Sequence, residues 1–203
     1  MSGTYERKDH LYNRAKEEGF RSRAAYKLEE LDQKYGLLKP SYKVLDLGAW
    51  PGGWLQVASK RVGPDGLVIG VDLVEIEDLG FANIKVIKGD LREEATLDRI
   101  VEMNPNSFDL VVSDMSPKLS GIPEVDRIAA VALAELALFF AQRFLATGGN
   151  LVIKVFKGNE TEAFVKTSRS LFNKVARCEL KSTRKSSNEF YLVNLGLKRP
   201  QES

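Results

Sequence analysis

Three acids hold equivalent places in the first half of the chain. Asp46 lies within the apolar run Lys43–Leu47, Asp72 stands at the end of Leu67–Leu73, and Asp90 follows Ile84–Ile87. The run around Asp46 continues into a glycine-rich turn, Asp46-Leu47-Gly48-Ala49-Trp50-Pro51-Gly52-Gly53-Trp54. Glycines there let a backbone approach a ligand without interference from a Cβ atom. The carboxyl edge of a parallel sheet is also where open α/β folds bind their ligands. A dinucleotide site would show G-x-G-x-x-G with a pyrophosphate on the helix N-terminus. This chain has D-x-G-x-x-P-G-G, and an added carboxylate suits a cationic ligand better than a pyrophosphate. Asp72 is placed to accept hydrogen bonds from two ribose hydroxyls, and Asp90 to meet an adenine edge. A positively charged nucleoside, S-adenosylmethionine, satisfies all three acids. The candidate cofactor residues are Asp46, Gly48, Pro51, Gly52, Gly53, Asp72 and Asp90, with Leu91 beside it. The competing reading is a tight structural turn with the acids as helix caps.

A second group of residues bears on the acceptor. The run Phe108–Ser113 is followed by Asp114-Met115-Ser116-Pro117. The Asn/Asp-Pro-Pro-Tyr/Phe sequence typical of enzymes that methylate exocyclic amines is absent from this position. Cytosine-C5 methyltransferases share a Pro-Gly-Gly loop but require a thiolate near this strand end. Ser116 stands there instead, and the sole thiol, Cys178, sits in an apolar strand pattern that suits core packing. Lys154 interrupts Leu151-Val152-Ile153-Lys154-Val155-Phe156, Glu189 precedes Phe190, and Lys27 falls on a helical stretch. Taken singly these three read as a snorkelling lysine, a strand-end charge and a surface lysine. Beside Asp114 and the glycine-rich turn, their joint presence calls for another account.

Positioning such residues requires strands that alternate with helices. β-rich runs occur at Lys43–Leu47, Leu67–Leu73, Ile84–Ile87, Phe108–Ser113, Asn150–Phe156, Val175–Leu180 and Phe190–Leu197, with helix-compatible stretches among the first five. That alternation predicts a mostly parallel seven-stranded α/β sheet, Rossmann-like, with helices on both faces. Lys181–Glu189 is too short and polar for a crossover helix, so the last two strands are expected to form an antiparallel hairpin at the sheet edge. Val125–Leu145 is expected to be a helix buried against the sheet and stopped by Gly148-Gly149. Residues 1–42 are expected to form a basic helical appendage, with a helix over Ser22–Tyr35, to a single domain spanning 1–203.

Of the 203 residues, 43% are hydrophobic and 29% charged, an ordinary globular composition. No apolar run reaches the ~18 residues of a membrane span, and the polar N-terminus does not read as a signal peptide. One cysteine and one histidine argue against a disulfide framework and a zinc site. The expectations are a cytoplasmic monomer without metal. The net charge of +2 hides three unlike blocks: 1–43 carry +3, 44–150 carry −7 and 151–203 carry +6. Two basic ends around an acidic middle point to a shared basic face able to meet an anionic polymer. Its candidate contacts are Arg21 and Arg23 at one end and Lys181, Arg184 and Lys185 at the other, meeting mainly phosphate.

The chain resembles the FtsJ-type ribosomal RNA ribose 2′-O-methyltransferases. The likeness runs from Arg21-Ser22-Arg23-Ala24-Ala25-Tyr26-Lys27-Leu28 to Asn188-Glu189-Phe190-Tyr191. It implies a Lys-Asp-Lys-Glu active site at Lys27, Asp114, Lys154 and Glu189, with Lys154 as proton acceptor. It also implies cofactor contacts at Gly52, Trp54, Asp72, Asp90 and Asp114. The substrate implied is a uridine ribose in large-subunit (23S) rRNA within the assembling particle, with a tRNA anticodon loop as the rival. One departure is Trp50, where a small residue is more usual. Methyl transfer from a sulfonium to a hydroxyl is an in-line displacement, so the site must align the three reacting atoms and take up a proton. Lys27 and the sulfonium favour a neutral Lys154, whereas Asp114 and Glu189 oppose it.

Overall fold

The computed structural model describes residues 10–118, 120–184 and 187–198. Seven strands form one sheet in the order β3-β2-β1-β4-β5-β7-β6. They are β1 (Lys43–Leu47), β2 (Leu67–Asp72), β3 (Ile84–Lys88), β4 (Phe108–Ser113), β5 (Leu145–Phe156), β6 (Phe172–Cys178) and β7 (Glu189–Leu197). The first five are parallel, and β7 runs antiparallel to both β5 and β6. The expected fold class is the one observed, with the hairpin strand β6 at the edge.

The described residues form six helices: α1 (His10–Glu17), α2 (Ala25–Tyr35), α3 (Gly53–Val62), α4 (Glu94–Met103), α5 (Pro123–Phe144) and α6 (Asn159–Leu171). Strand alternation sorts the core into two layers. Leu45, Leu47, Val111, Leu151 and Ile153 pack with α4, α5 and α6, whereas Val44, Val68, Leu110, Val112 and Val152 pack with α2 and α3. Central strands covered on both faces are apolar nearly throughout, which makes Asp46 an exception in β1.

One expectation about α5 needs correction. The helix ends at Phe144, and Leu145 already pairs with Phe108. Gly148-Gly149 instead lie within β5, where the register shifts between Phe108 and Leu110. As expected, α5 lies against the sheet, and its outer side is open to solvent. Ala130, Ala134, Ala137, Leu138, Ala141 and Phe144 meet the core, while Val125, Ile128 and Phe139 are about half exposed. At the hairpin, β6 begins three residues earlier than expected, at Phe172, and ends at Cys178, whose thiol is buried.

The appendage is clamped by α3. The Gln56 side chain donates to Gly19 O at 3.0 Å and accepts from Arg21 N–H at 2.8 Å, and the Trp54 indole N–H donates to Ala24 O at 2.7 Å. A Cβ on Gly53 would come within 2.4 Å of Ser22 Oγ, so glycine here sets how closely α3 approaches this segment. Trp54 is buried and its ring lies 5.9 Å from that of Tyr191. Trp54→Phe keeps an aromatic ring and removes the indole bond, leaving the Ala24 carbonyl with the Lys27 N–H at 3.0 Å, at a cost of about 0.5–1.5 kcal/mol. At roughly 2–4 °C per kcal/mol for a chain of this size, calorimetry is expected to register a Tm lower by about 1–6 °C. An unchanged Tm would show that the indole bond contributes nothing.

Candidate functional site

Register brings the polar residues together. Val112 pairs with Asp46 and Ser113 with Ile153, so Asp114, one step beyond β4, comes beside Lys154. Lys154 in turn pairs with Tyr191 of β7. Asp46, Lys154, Glu189 and Tyr191 occupy the strand parity that faces α2 and α3, and α2 carries Lys27 over them.

The side chains form one connected set. Lys154 Nζ donates to Asp114 O at 2.6 Å and lies 3.1 Å from Asp114 Oδ1. Lys27 Nζ is 2.6 Å from Glu189 Oε1 and 3.8 Å from Asp114 Oδ1. The Tyr191 hydroxyl donates to Asp114 Oδ1 at 2.5 Å, and Ser187 Oγ donates to Glu189 Oε2 at 2.7 Å. Side-chain exposure is 13% for Lys27, 19% for Asp114, 9% for Lys154 and 11% for Glu189. Charges this dehydrated are retained only when paired.

Burial pushes the Glu189 carboxyl upward, but Lys27, Ser187 and Lys154 together hold it below the usual value. The Lys27–Glu189 pair therefore contributes its stability above the unfolded glutamate range, about pH 4, and loses it as pH falls through the lowered value. Burial, reinforced by Asp114 and Glu189, raises the Tyr191 phenol well above its ordinary value and keeps it a donor. The sequence reading assigned Tyr191 no role, although it lies two residues from Glu189 on the same strand face. An aromatic within a strand looks like core, and Tyr191 is indeed fully buried.

A cleft of about 790 Å³ opens beside this set. Its lining includes Gly48, Asp72, Asp90, Leu91 and Asp114 from the candidate list, with Trp50, Arg92, Met115 and the α5 residues Leu133, Leu136 and Phe139. Gly48 has φ +77°, and a Cβ there would come within 2.4 Å of Met115 Cγ. Asp72 Oδ2 accepts from Trp50 N–H at 2.9 Å and Oδ1 from Val74 N–H at 2.8 Å. The Arg92 guanidinium chelates Asp90, and its hydrogen bonds bring that carboxyl down to about 2. Trp50 is more than half exposed at the cleft wall and precedes a cis peptide to Pro51.

The remaining candidates are not among the residues that line the cleft. Pro51, Gly52 and Gly53 lead into α3, whose first amides have no helical acceptor, and the Trp54 ring points toward Ala24 and Tyr191. Asp46 is fully enclosed, and its Oδ2 has no hydrogen-bond partner. Burial first, then Asp114 and Asp72, push its carboxyl well above the ordinary range. A carboxylate edge, a glycine cradle and an orphaned buried oxygen together fit a ligand with cationic character.

The two basic ends do meet. The Arg23 guanidinium donates to Ser182 O, and Arg184 lies close enough to add to the burial that lowers the Arg23 value. Arg21 is turned the other way, toward Glu77 Oε2 at 2.7 Å and Asp78 O at 3.0 Å. Lys181 and Arg184 are in the hairpin loop, and Lys185 lies outside the described residues. Among the described residues, no helix is long and apolar enough to cross a membrane, and no cluster of three or more His, Cys, Asp or Glu could hold a metal ion.

A family model described as FtsJ-like methyltransferase matches residues 20–197. A Pseudomonas fluorescens protein named ribosomal RNA large subunit methyltransferase E is 44% identical over 93% of this chain and 90% of its own length. A protein of the same name from Methanothermobacter thermautotrophicus is 43% identical over 95% of this chain and 91% of its own. A crystal structure of a Plasmodium falciparum protein described as a ribosomal RNA methyltransferase superposes with TM-score 0.77 at 27% identity. It covers 88% of this chain and 98% of that one.

Proposed function

Because the chain belongs to the FtsJ-like methyltransferase family, we propose that it methylates the 2′-hydroxyl of a uridine ribose in large-subunit (23S) rRNA, with S-adenosylmethionine as donor. The observation that carries this reading is the convergence of Lys27, Asp114, Lys154 and Glu189 at the end of the cleft. The relatives named above favour rRNA over a tRNA anticodon loop as the polymer.

The donor, when bound, supplies an electrophilic methyl group on a sulfonium sulfur. Asp72 and Asp90 would hold its ribose and adenine, with Leu91 beside the base, and the amides of Gly53 and Trp54 at the start of α3 would hold its carboxylate. Asp46 keeps an unpaired buried oxygen beneath the glycine turn. Lys154 holds the ribose 2′-oxygen in line and takes up its proton. Asp114 anchors Lys154, while Lys27 and Glu189 position the ribose and balance the charge. Arg23, Arg184 and the hairpin loop meet the phosphate backbone.

The test incubates methyl-labelled S-adenosylmethionine with ribosomal subunits, free rRNA or tRNA, followed by alkaline hydrolysis. Label in alkali-resistant dinucleotides from the large subunit is the expected result. Resistant label in tRNA would move the substrate to the anticodon-loop alternative. Label in alkali-released mononucleotides would mean base methylation and would end the four-residue reading.

A further inference from the structure

One face of α2 is joined at four points to the C-terminal hairpin. Arg23, just before the helix, reaches Ser182 O; Lys27 reaches Glu189; Glu30 reaches Lys181 and Ser182; and Lys34 Nζ lies 3.4 Å from Cys178 Sγ. The spacing 23, 27, 30, 34 is that of neighbours along one side of a helix. Glu30 makes the densest of these junctions. Its Oε1 accepts from Lys181 N–H at 2.8 Å, and its Oε2 accepts from Ser182 N–H at 3.1 Å and from the Ser182 hydroxyl at 2.9 Å. Two consecutive backbone amides pointing at one carboxylate form a small anion-binding nest. Charge-assisted bonds of this kind are about twice as strong as neutral ones.

The placement matters because the candidate site is divided between chain ends. Lys27 comes from α2, whereas Glu189 and Tyr191 come from β7 at the far side of the same hairpin. Glu30 lies three residues from Lys27 and therefore on the same side of α2. Ser182 on Glu30 and Glu189 under Lys27 thus belong to one hairpin. We infer that Glu30 is a positioning residue for methyl transfer, a carboxylate latch that holds the hairpin loop on α2 and thereby sets Lys27 against Glu189 and Asp114. The inference rests on the proposed reading of Lys27 as part of the active site.

Glu30 touches neither the cleft nor the reacting groups, so its loss acts on turnover through Lys27. With the RNA that the labelling experiment identifies, Glu30→Ala is expected to lower kcat by about 10- to 100-fold, the scale of a misplacement near 1 Å. The Kd for S-adenosylmethionine stays within about twofold. Because both residues act through one contact, Lys27→Ala/Glu30→Ala is expected to turn over no more slowly than Lys27→Ala alone. Glu30→Gln, which keeps one acceptor, falls between wild type and Glu30→Ala. It also speeds hydrogen exchange at the 181 and 182 amides while the sheet amides stay protected. Should Glu30→Ala fail to bind the cofactor, Glu30→Gln is judged by the same turnover and exchange criteria. Wild-type kcat in the variant so judged, or a double mutant slower by the product of the two single effects, overturns the latch. Wild-type turnover in Lys27→Ala would instead remove the active-site reading on which the latch depends.

Discussion

Lys154→Ala is expected to lower kcat by roughly 10³-fold or more, while the Kd for S-adenosylmethionine stays within about threefold of wild type. An ammonium has three donors. Two are directed at Asp114, one to the backbone oxygen at 2.6 Å and one to Oδ1 at 3.1 Å. That leaves one valence of Nζ for the substrate: a third N–H in the charged form, or the lone pair in the neutral form that can take a proton. The cofactor residues stand on other strand ends, which is why binding and turnover should separate. Stopped-flow binding with single-turnover methylation measures both. Lys154→Arg then divides two roles, because a guanidinium can orient an oxygen but has no lone pair to offer and does not deprotonate. An inactive arginine variant supports proton acceptance, and an active one reduces Lys154 to an orienting group. Near-normal turnover in the alanine variant sinks its place in the site altogether.

The residues of this network were legible to different degrees, for physical reasons. Lys154 stood out because a lysine inside a β-branched run must be explained, and period-two alternation predicts its face. Asp114 and Asp72 were legible as polar residues closing apolar runs. The far end of α5 was not, because Leu145-Ala146-Thr147 continues an Ala- and Leu-rich pattern up to the glycine pair. Only the pairing of Leu145 with Phe108 shows that β5 has begun. The cleft side of α5 was hidden for a related reason. A helix apolar on most sides singles out no one face, and Leu133, Leu136 and Phe139 line the cleft. Glu30 gave no signal at all. A glutamate on a charged helix face looks solvated, and its partners are backbone amides that no residue type announces. The Trp54 indole is similar: its motif position suggests a ligand contact, while its N–H is spent on Ala24 O.

Asp114→Asn is expected to do what Lys154→Ala does not, weakening cofactor binding and turnover together. Lys154, Lys27 and the Tyr191 hydroxyl all converge on Asp114 Oδ1, at 3.1, 3.8 and 2.5 Å. With Glu189 the set holds two cations against two anions, so it is neutral. The asparagine keeps the shape and one acceptor but leaves a net positive charge among side chains no more than 19% exposed. Uncompensated charge in such a place destabilises, here by roughly 1–3 kcal/mol, somewhat less than for a fully buried pair. Asp114 also lines the cleft, so its carboxylate attracts a sulfonium ligand that the amide does not. The expected result is kcat down about 10²- to 10³-fold, Kd for S-adenosylmethionine up about tenfold, and a Tm lower by several degrees. S-adenosylhomocysteine, which lacks the sulfonium charge, should lose less affinity than S-adenosylmethionine in the same variant. Equal losses for the two ligands would mean that Asp114 recognises the shared nucleoside. Weakened binding with unchanged kcat would confine it to cofactor recognition and leave Lys154 held through the backbone oxygen alone.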